Sequence, residues 1–314
     1  MGDRADRPLS ILGPTASGKS SLALGVVEKL AAHGQAAELV SIDSMQVYIG
    51  MDVGTATPTV AEQARVPHHL IDLVQPSEPF TVGDFQRRAR AVIADIRGRG
   101  AVPILVGGTG LYLRSVIDDL DIPPPFPDTR AALEAELAAG TPVEALHARL
   151  ADLDPTAAAR MEPNNERRVL RALEVTVGSG LPFSSFGPGL EAYPDTPFVQ
   201  VAIRWPREAL DARIAGRYDD QMAAGFLDEV RRLRSIGPSH TAAQALGYRE
   251  LLAHLDGSTT LDEALDQAVI RTRQFARRQE RWFRRDPRIT WLDAPVDPAD
   301  AIAVWDAALD ERAR

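Results

Sequence analysis

Short apolar runs alternate with longer amphipathic stretches over the first 117 residues of the chain. The runs at Leu9–Leu12, 38–43, 69–73 and 102–106 are too short for buried helices and read as strands. Between them, residues 20–30 have the apolar spacing of a helix that stops at His33-Gly34. Residues 84–97 carry Phe85, Ala89, Val92, Ile93 and Ile96 at i, i+4, i+7, i+8 and i+11, and Gly98 and Gly100 close that helix. Strand–helix alternation of this kind predicts an α/β fold, a parallel sheet with helices on both faces and ligands at the carboxyl ends of its strands.

The pattern changes at Pro123-Pro-Pro-Phe-Pro127, a stiff extended connector. Beyond it only helical signals occur, at 129–139, 142–151, 155–161 and 164–177, followed by a loose Gly-, Pro- and Ser-rich stretch over 178–197. A strand at 198–205 and a helix from about Arg207 then resume the earlier style. The expected organisation is a core domain interrupted by an all-helical insertion: 1–120 and 198–314 for the core, 121–197 for the insertion.

Composition narrows the chemistry. The 314 residues contain no cysteine, which excludes disulfides, thiol catalysis and Cys-based zinc sites. The first eight residues are charged and resemble no secretory signal, and no apolar run is long enough for a bilayer, so the expectation is a cytoplasmic protein, a monomer by default. Net charge is −9, yet residues 271–288 hold eight arginines against Glu280 and Asp286. A basic helix inside an acidic protein is a candidate polyanion surface, although 33 of the 35 basic residues are arginine and general usage accounts for some of it.

The stretch Gly13-Pro14-Thr15-Ala16-Ser17-Gly18-Lys19-Ser20, between the first strand and the first helix, is a complete G-x-x-x-x-G-K-[ST] phosphate-binding loop, so the core is expected to be P-loop NTPase-like. Its glycines let successive N–H groups converge on phosphate oxygens, Lys19 adds a charge, the Ser20 hydroxyl suits a magnesium ion, and the helix N-terminus faces the same anion. The loop specifies a di- or triphosphate without saying which. Asp43 ends the second strand and is placed near the loop as a metal ligand, a proton acceptor or simply a turn cap. Thr109 lies in a second Gly-rich strand exit, 106–112, and offers a hydroxyl. Arg213 and Arg217 share a helix face and could bind a diphosphate or form a solvated stripe.

Two amphipathic helices present arginine. On 164–177, Arg167, Arg168 and Arg171 fall within one arc, opposite Val169, Leu170, Leu173 and Val177. On 271–285, Phe275, Ala276, Gln279, Trp282 and Phe283 take one side and six arginines the other, with Glu280 as the only acid of that run to balance them. Adjacent His68 and His69 point to opposite sides of an extended segment and make no metal pair.

Together with 43–48, 51–56, 67–72, 107–112, 165–173 and Gly247-Tyr248-Arg249, the phosphate loop resembles the bacterial tRNA dimethylallyltransferase family, in order over residues 9 to 293. The resemblance implies transfer of a dimethylallyl group from dimethylallyl diphosphate to N6 of adenosine 37 of tRNA, with the loop holding the leaving diphosphate. It assigns Lys19, Ser20 with Mg2+, and Arg217 to the diphosphate. It makes Asp43 the group that takes the amino proton, with Thr109 in the same site. It assigns tRNA contacts to Asp43, Ser44, Met45, Gln46, Thr109, Arg130, Arg167, Arg168 and Arg171. A zinc finger, carried by eukaryotic relatives, is not expected without cysteine. The rival readings are an adenylate isopentenyltransferase acting on free nucleotide, a P-loop small-molecule kinase, and a non-enzymatic RNA-binding NTPase switch; the arginine faces favour tRNA.

Overall fold

The computed structural model describes residues 4–187 and 189–312. The chain divides into two compact units, one formed by the chain up to Ile117 and from Asp195 on, the other by Asp118–Pro194. Each border falls a few residues before the one expected from composition. At the second border, the Thr196 hydroxyl already donates to the carbonyl of Ile117, 2.7 Å away, inside the first unit.

In that first unit the strands β1 (Leu9–Leu12), β2 (Ala37–Ile42), β3 (His68–His69), β4 (Val102–Gly107), β5 (Val199–Arg204) and β6 (Ile289–Asp293) form one sheet. Their order is β3-β2-β4-β1-β5-β6 and every pair is parallel. β1, β2 and β4 are buried at every position, which is why they read as continuous apolar runs rather than alternating ones. Pro103 is tolerated in central β4 because pairing with β1 begins only at Ser10↔Leu105.

The helices are α1 (Lys19–Ala32), α2 (Val60–Arg65), α3 (Val82–Gly98), α4 (Gly110–Ile117), α5 (Pro127–Ala138), α6 (Val143–Leu153), α7 (Pro155–Ala158), α8 (Glu166–Ser179), α9 (Arg207–Ala223), α10 (Phe226–Ile236), α11 (His240–Ala243), α12 (Tyr248–Leu255), α13 (Leu261–Phe283) and α14 (Pro298–Arg312). One sheet face buries Leu9, Ile11, Leu39, Ile104 and Val201 against α1 and α14, with Trp305 fully enclosed. The other buries Leu12, Val40, Ile42 and Leu105 against α3, α4 and Phe283 of α13. A third core joins Val47, Tyr48 and Met51, just beyond β2, to α9, α10, α12 and α13. These layers leave the carboxyl ends of β1, β2 and β4 at one end of the sheet, where the phosphate loop lies.

Three local expectations change. The strand expected at 69–73 ends at His69 because Leu70 (φ 64°) and Asp72 (φ 52°) leave the extended region. The helix expected over 155–161 is the short α7. The stretch over 178–197 is not uniformly loose: Asp154 accepts from the Ser184 amide and hydroxyl, both at 2.7 Å, and fixes a 3-10 turn at Phe183–Ser185.

The Asp118–Pro194 unit has its own core of Leu133, Leu146, Leu150, Ala158, Val169, Leu170, Ala172 and Leu173. α8 is capped before its first residue by Asn165, whose side chain accepts from the Arg168 amide, and after its last by left-handed Gly180. Val177, expected in the core, is about half exposed.

Candidate functional site

The phosphate loop leaves β1 and enters α1 through Gly18, whose φ of 88° suits glycine. The first turn of α1 leaves the amides of Gly18, Lys19 and Ser20 without intrahelical partners, a ready anion seat. The loop's carbonyls are tied down from outside. Arg213 donates through Nε to the carbonyl of Ala16 (2.8 Å) and Trp205 through Nε1 to that of Ser17 (2.9 Å). The Arg213 guanidinium also stacks over the Trp205 ring at 4.5 Å. Arg213 therefore clasps the loop's backbone, while its i+4 partner Arg217 donates to Thr15 Oγ1 (2.9 Å) and to the carbonyl of Gly54 (3.1 Å).

A cavity of about 330 Å³ opens beside the loop. Thr15, Lys19, Ser20, Asp43, Ser44, Met45, Gln46, Thr109 and Arg217 all line it, so the residues singled out in the loop, at the end of β2, at the exit of β4 and on α9 come together. Asp43 is fixed by accepting the Met45 amide at 2.8 Å. Thr109 Oγ1 accepts the Ser44 amide at 3.2 Å, and its own amide donates to Ile42, zipping the exits of β2 and β4 together. Gln46 accepts the Ser41 hydroxyl and donates to the Ala56 carbonyl.

Asp43 is the only acid among the described residues lining the cavity, against Lys19, Arg217 and Arg278. Burial pulls the Lys19 ammonium down to about 8, an effect partly offset by Asp43 and increased by Arg217. Burial likewise lowers Arg217. Two cations held in a partly desolvated space with one carboxylate make a seat for an anion.

For a divalent metal the donors present are oxygens. The Ser20 hydroxyl makes no hydrogen bond among the described residues and lines the same cavity as the Asp43 carboxylate. Hydroxyl and carboxylate oxygens suit magnesium, and no cluster of three His, Cys, Asp or Glu occurs among the described residues. The donor set fits an ion that takes most of its shell from a bound phosphate and water.

Sequence reasoning missed a buried support. Glu229 of α10 accepts the amides of Asp52 (2.9 Å), Val53 (2.8 Å) and Gly54 (3.1 Å) and the Tyr248 hydroxyl (2.6 Å). The turn so held presents the Gly54 carbonyl to Arg217 and to Gln221, 2.9 Å away. A Cβ on Gly54 would lie 2.4 Å from the Phe226 and Tyr248 rings, so the turn needs glycine. The sequence signal was the Met51–Ala56 motif, but its partner lies about 175 residues away. Gln279, placed by sequence on the buried side of the Arg-rich helix, also reaches the loop: it accepts the Thr15 amide at 2.9 Å.

The two arginine faces differ from expectation. On α8, Arg167 and Arg168 are exposed without a partner among the described residues, but Arg171 turns back to Glu174 and to the Pro123 carbonyl (2.6 Å). Glu174 also accepts the Phe126 amide, so Arg171 anchors the proline connector. Arg130 pairs with Glu134. On α13, Arg271 pairs with Glu250, Arg273 and Arg277 with Asp211, and Arg284 with Glu280. Glu280 is therefore not the only acid balancing this helix; α9 and α12 supply others. Arg278, Arg281 and Arg285 remain exposed. His69 pairs with Glu38, while His68 lines the cavity.

A family model described as IPP transferase matches residues 46–286. The chain is 50% identical over 301 residues to the tRNA dimethylallyltransferase of Thermobifida fusca, covering 94% of this chain and 93% of that one. It is 46% identical over 294 residues to that of Streptomyces coelicolor, covering 93% and 92%. Among solved structures, a full-length tRNA isopentenylpyrophosphate transferase from Bacillus halodurans aligns with TM-score 0.69 at 38% identity over 98% of both chains. A eukaryotic dimethylallyltransferase acting on tRNA aligns with TM-score 0.76 at 26% identity, over 98% of this chain and 77% of that one.

Proposed function

The chain belongs to the IPP transferase family, and on that premise we propose that it transfers a dimethylallyl group from dimethylallyl diphosphate to N6 of adenosine 37 in tRNA. The observation that carries this reading is the cavity in which Lys19, Ser20 and Arg217 of a phosphate site face Asp43 and Thr109. A carboxylate opposite an anion seat suits attack by a nitrogen on the carbon that bears the diphosphate.

The diphosphate rests on the amides at the start of α1, with Lys19 and Arg217 neutralising its oxygens. Ser20 and the diphosphate would hold Mg2+, which supplies Lewis-acid stabilisation of the leaving group. Asp43 accepts a hydrogen bond from the N6 amino group. As the N6–C1 bond forms and the allylic C1–O bond breaks, the N6 proton passes to Asp43 and diphosphate departs. Thr109 keeps Ser44 and the Asp43 segment in place. The exocyclic amine is a weak nucleophile, so much of the acceleration comes from positioning and from charge stabilisation on the leaving group. Adenosine 37 must leave its stack to enter a cavity of this kind.

Recognition of the anticodon stem falls to Ser44, Met45 and Gln46 at the cavity and to Arg167 and Arg168 on α8, whose free guanidinium groups suit phosphates. Arg130 and Arg171, already paired, serve there mainly as supports. No helix among the described residues is long and apolar enough to cross a membrane, and a cytoplasmic monomer is the working assembly.

The deciding experiment incubates the protein with dimethylallyl diphosphate labelled in the prenyl group and, in separate reactions, tRNA, AMP and ATP. Label in tRNA alone is the expected result. Label in the free nucleotides instead would replace this reading with an adenylate transferase, and phosphate transfer from ATP with a kinase.

A further inference from the structure

We propose that Gln279 of α13 is a positioning residue that fixes the spacing between the diphosphate loop and the turn carrying Thr109, and thereby the distance at which the two substrates meet. The inference rests on the transferase reading above.

The Gln279 side chain is buried, and each end of its amide is used. Its Oε1 accepts the Thr15 amide of the phosphate loop at 2.9 Å, and its Nε2 donates to the Gly108 carbonyl at 2.8 Å. One planar group therefore ties the donor half of the cavity to the acceptor half. From Gly108 the chain passes to Thr109, whose hydroxyl holds the Ser44 amide next to Asp43. Thr15 is held from two sides, its amide by Gln279 and its hydroxyl by Arg217.

Close approach on both sides of Thr109 enforces the fit. A Cβ on Gly108 would lie 2.3 Å from Gln279 Nε2, and one on Gly110 would lie 2.1 Å from Trp282 Nε1. α13 is thus seated on the 108–110 turn with no room for a side chain between them. A carboxamide is suited to this bridge because it accepts from an N–H and donates to a C=O at once. An ionised carboxylate would still accept from Thr15 but would repel the Gly108 carbonyl, whereas a protonated carboxyl would make both bonds. Displacing reacting atoms by about 1 Å can cost on the order of a hundredfold in rate, so loss of the bridge is expected to fall on the transfer step.

The test uses full-length wild type, Gln279→Leu and Gln279→Glu in single-turnover transfer from saturating dimethylallyl diphosphate to tRNA. It is run from pH 6 to 8.5, with tRNA affinity and thermal unfolding measured in parallel. For Gln279→Leu the transfer rate should fall about a hundredfold while tRNA affinity changes by less than about threefold. For Gln279→Glu the rate should fall below wild type wherever the introduced carboxyl is ionised, because the carboxylate repels the Gly108 carbonyl, and the ratio to wild type should be highest at the acid end of the range. Lys19, Asp43, Arg217 and Arg278 line the cavity in every protein, so the readout is the ratio to wild type at each pH. A Gln279→Glu rate equal to wild type across the whole pH range, or a Gln279→Leu rate equal to wild type well below its melting temperature, would overturn the inference. If Gln279→Leu does not fold, the Gln279→Glu profile decides alone. An inactive wild type would instead overturn the transferase reading.

Discussion

The cations at the cavity and those on α8 are held in opposite ways. Lys19 and Arg217 are drawn into partly desolvated positions and tied to the loop through the Pro14 carbonyl and the Thr15 hydroxyl. Arg167 and Arg168 stand in solvent, untethered among the described residues. A small diphosphate whose charge grows during one bond-breaking step is served by fixed charges that need no rearrangement. An RNA backbone spreads its charge over many phosphates, and mobile surface arginines follow it while releasing counterions. Burial of the first pair costs stability and shifts their protonation; the second pair costs little and gives a salt-dependent affinity.

The largest expected effect separates chemistry from capture. Asp43→Ala should lower single-turnover transfer about a thousandfold, within the range of a lost general base, and leave tRNA affinity near wild type. Equal losses in both would make Asp43 a binding residue and blur the contrast. Next, Arg167→Ala with Arg168→Ala should weaken tRNA binding roughly tenfold at moderate salt and reduce the slope of log affinity against log salt by nearly two. Arg171→Ala should reduce that slope less and instead lower the melting temperature, because its guanidinium holds Glu174 and the 123–124 carbonyls. If all three arginines shift the salt slope alike, the pairing of Arg171 does not persist with RNA bound.

At neutral pH the smallest effect is a pH dependence confined to the buried pair, which grows only above about pH 8. Burial holds the Lys19 ammonium at about 8, so its charged form is lost as pH rises through that value. Affinity for dimethylallyl diphosphate should be level below about pH 7 and fall by up to about tenfold per unit above 8. Lys19→Arg, charged throughout, should remove that fall even if it binds less well. tRNA capture through α8 should show no matching step.

What could be read from the sequence follows the range of the interactions. β1, β2, β4 and the phosphate loop are written in contiguous residues, because strands buried on both faces must be apolar and the loop's geometry is local. Their strand ends then bring Asp43 and Thr109 to the loop by topology alone. The end of β3 was not legible, since the left-handed Leu70 and Asp72 carry no glycine signal. The helical period placed Arg171 on the arginine face of α8, but whether it meets Glu174 or solvent depends on where the 123–126 connector lies. Nor could the sequence disclose Glu229, whose four partners come from Asp52, Val53, Gly54 and Tyr248. Buried acids of this kind are recognised only by the backbone amides they satisfy.

The strand order has a consequence for how the molecule comes into being. β1 lies between β4 and β5, and its helix α1 packs against α14 near the far end of the chain. Between Leu12 and Val199 the ribosome must add roughly 190 residues, about ten to forty seconds of synthesis, before the central strand gains its second neighbour. Within that interval the contiguous helices of Asp118–Pro194 hold all they need for their own core. The nascent protein should therefore acquire a folded helical unit while its sheet still waits, and the phosphate loop is completed only when α9 and α13 emerge. A stalled chain that ends before Arg207 carries the whole loop motif and none of the clasp from Arg213, Arg217 and Gln279, so it should be protease-sensitive at its N-terminal third and inert toward diphosphates.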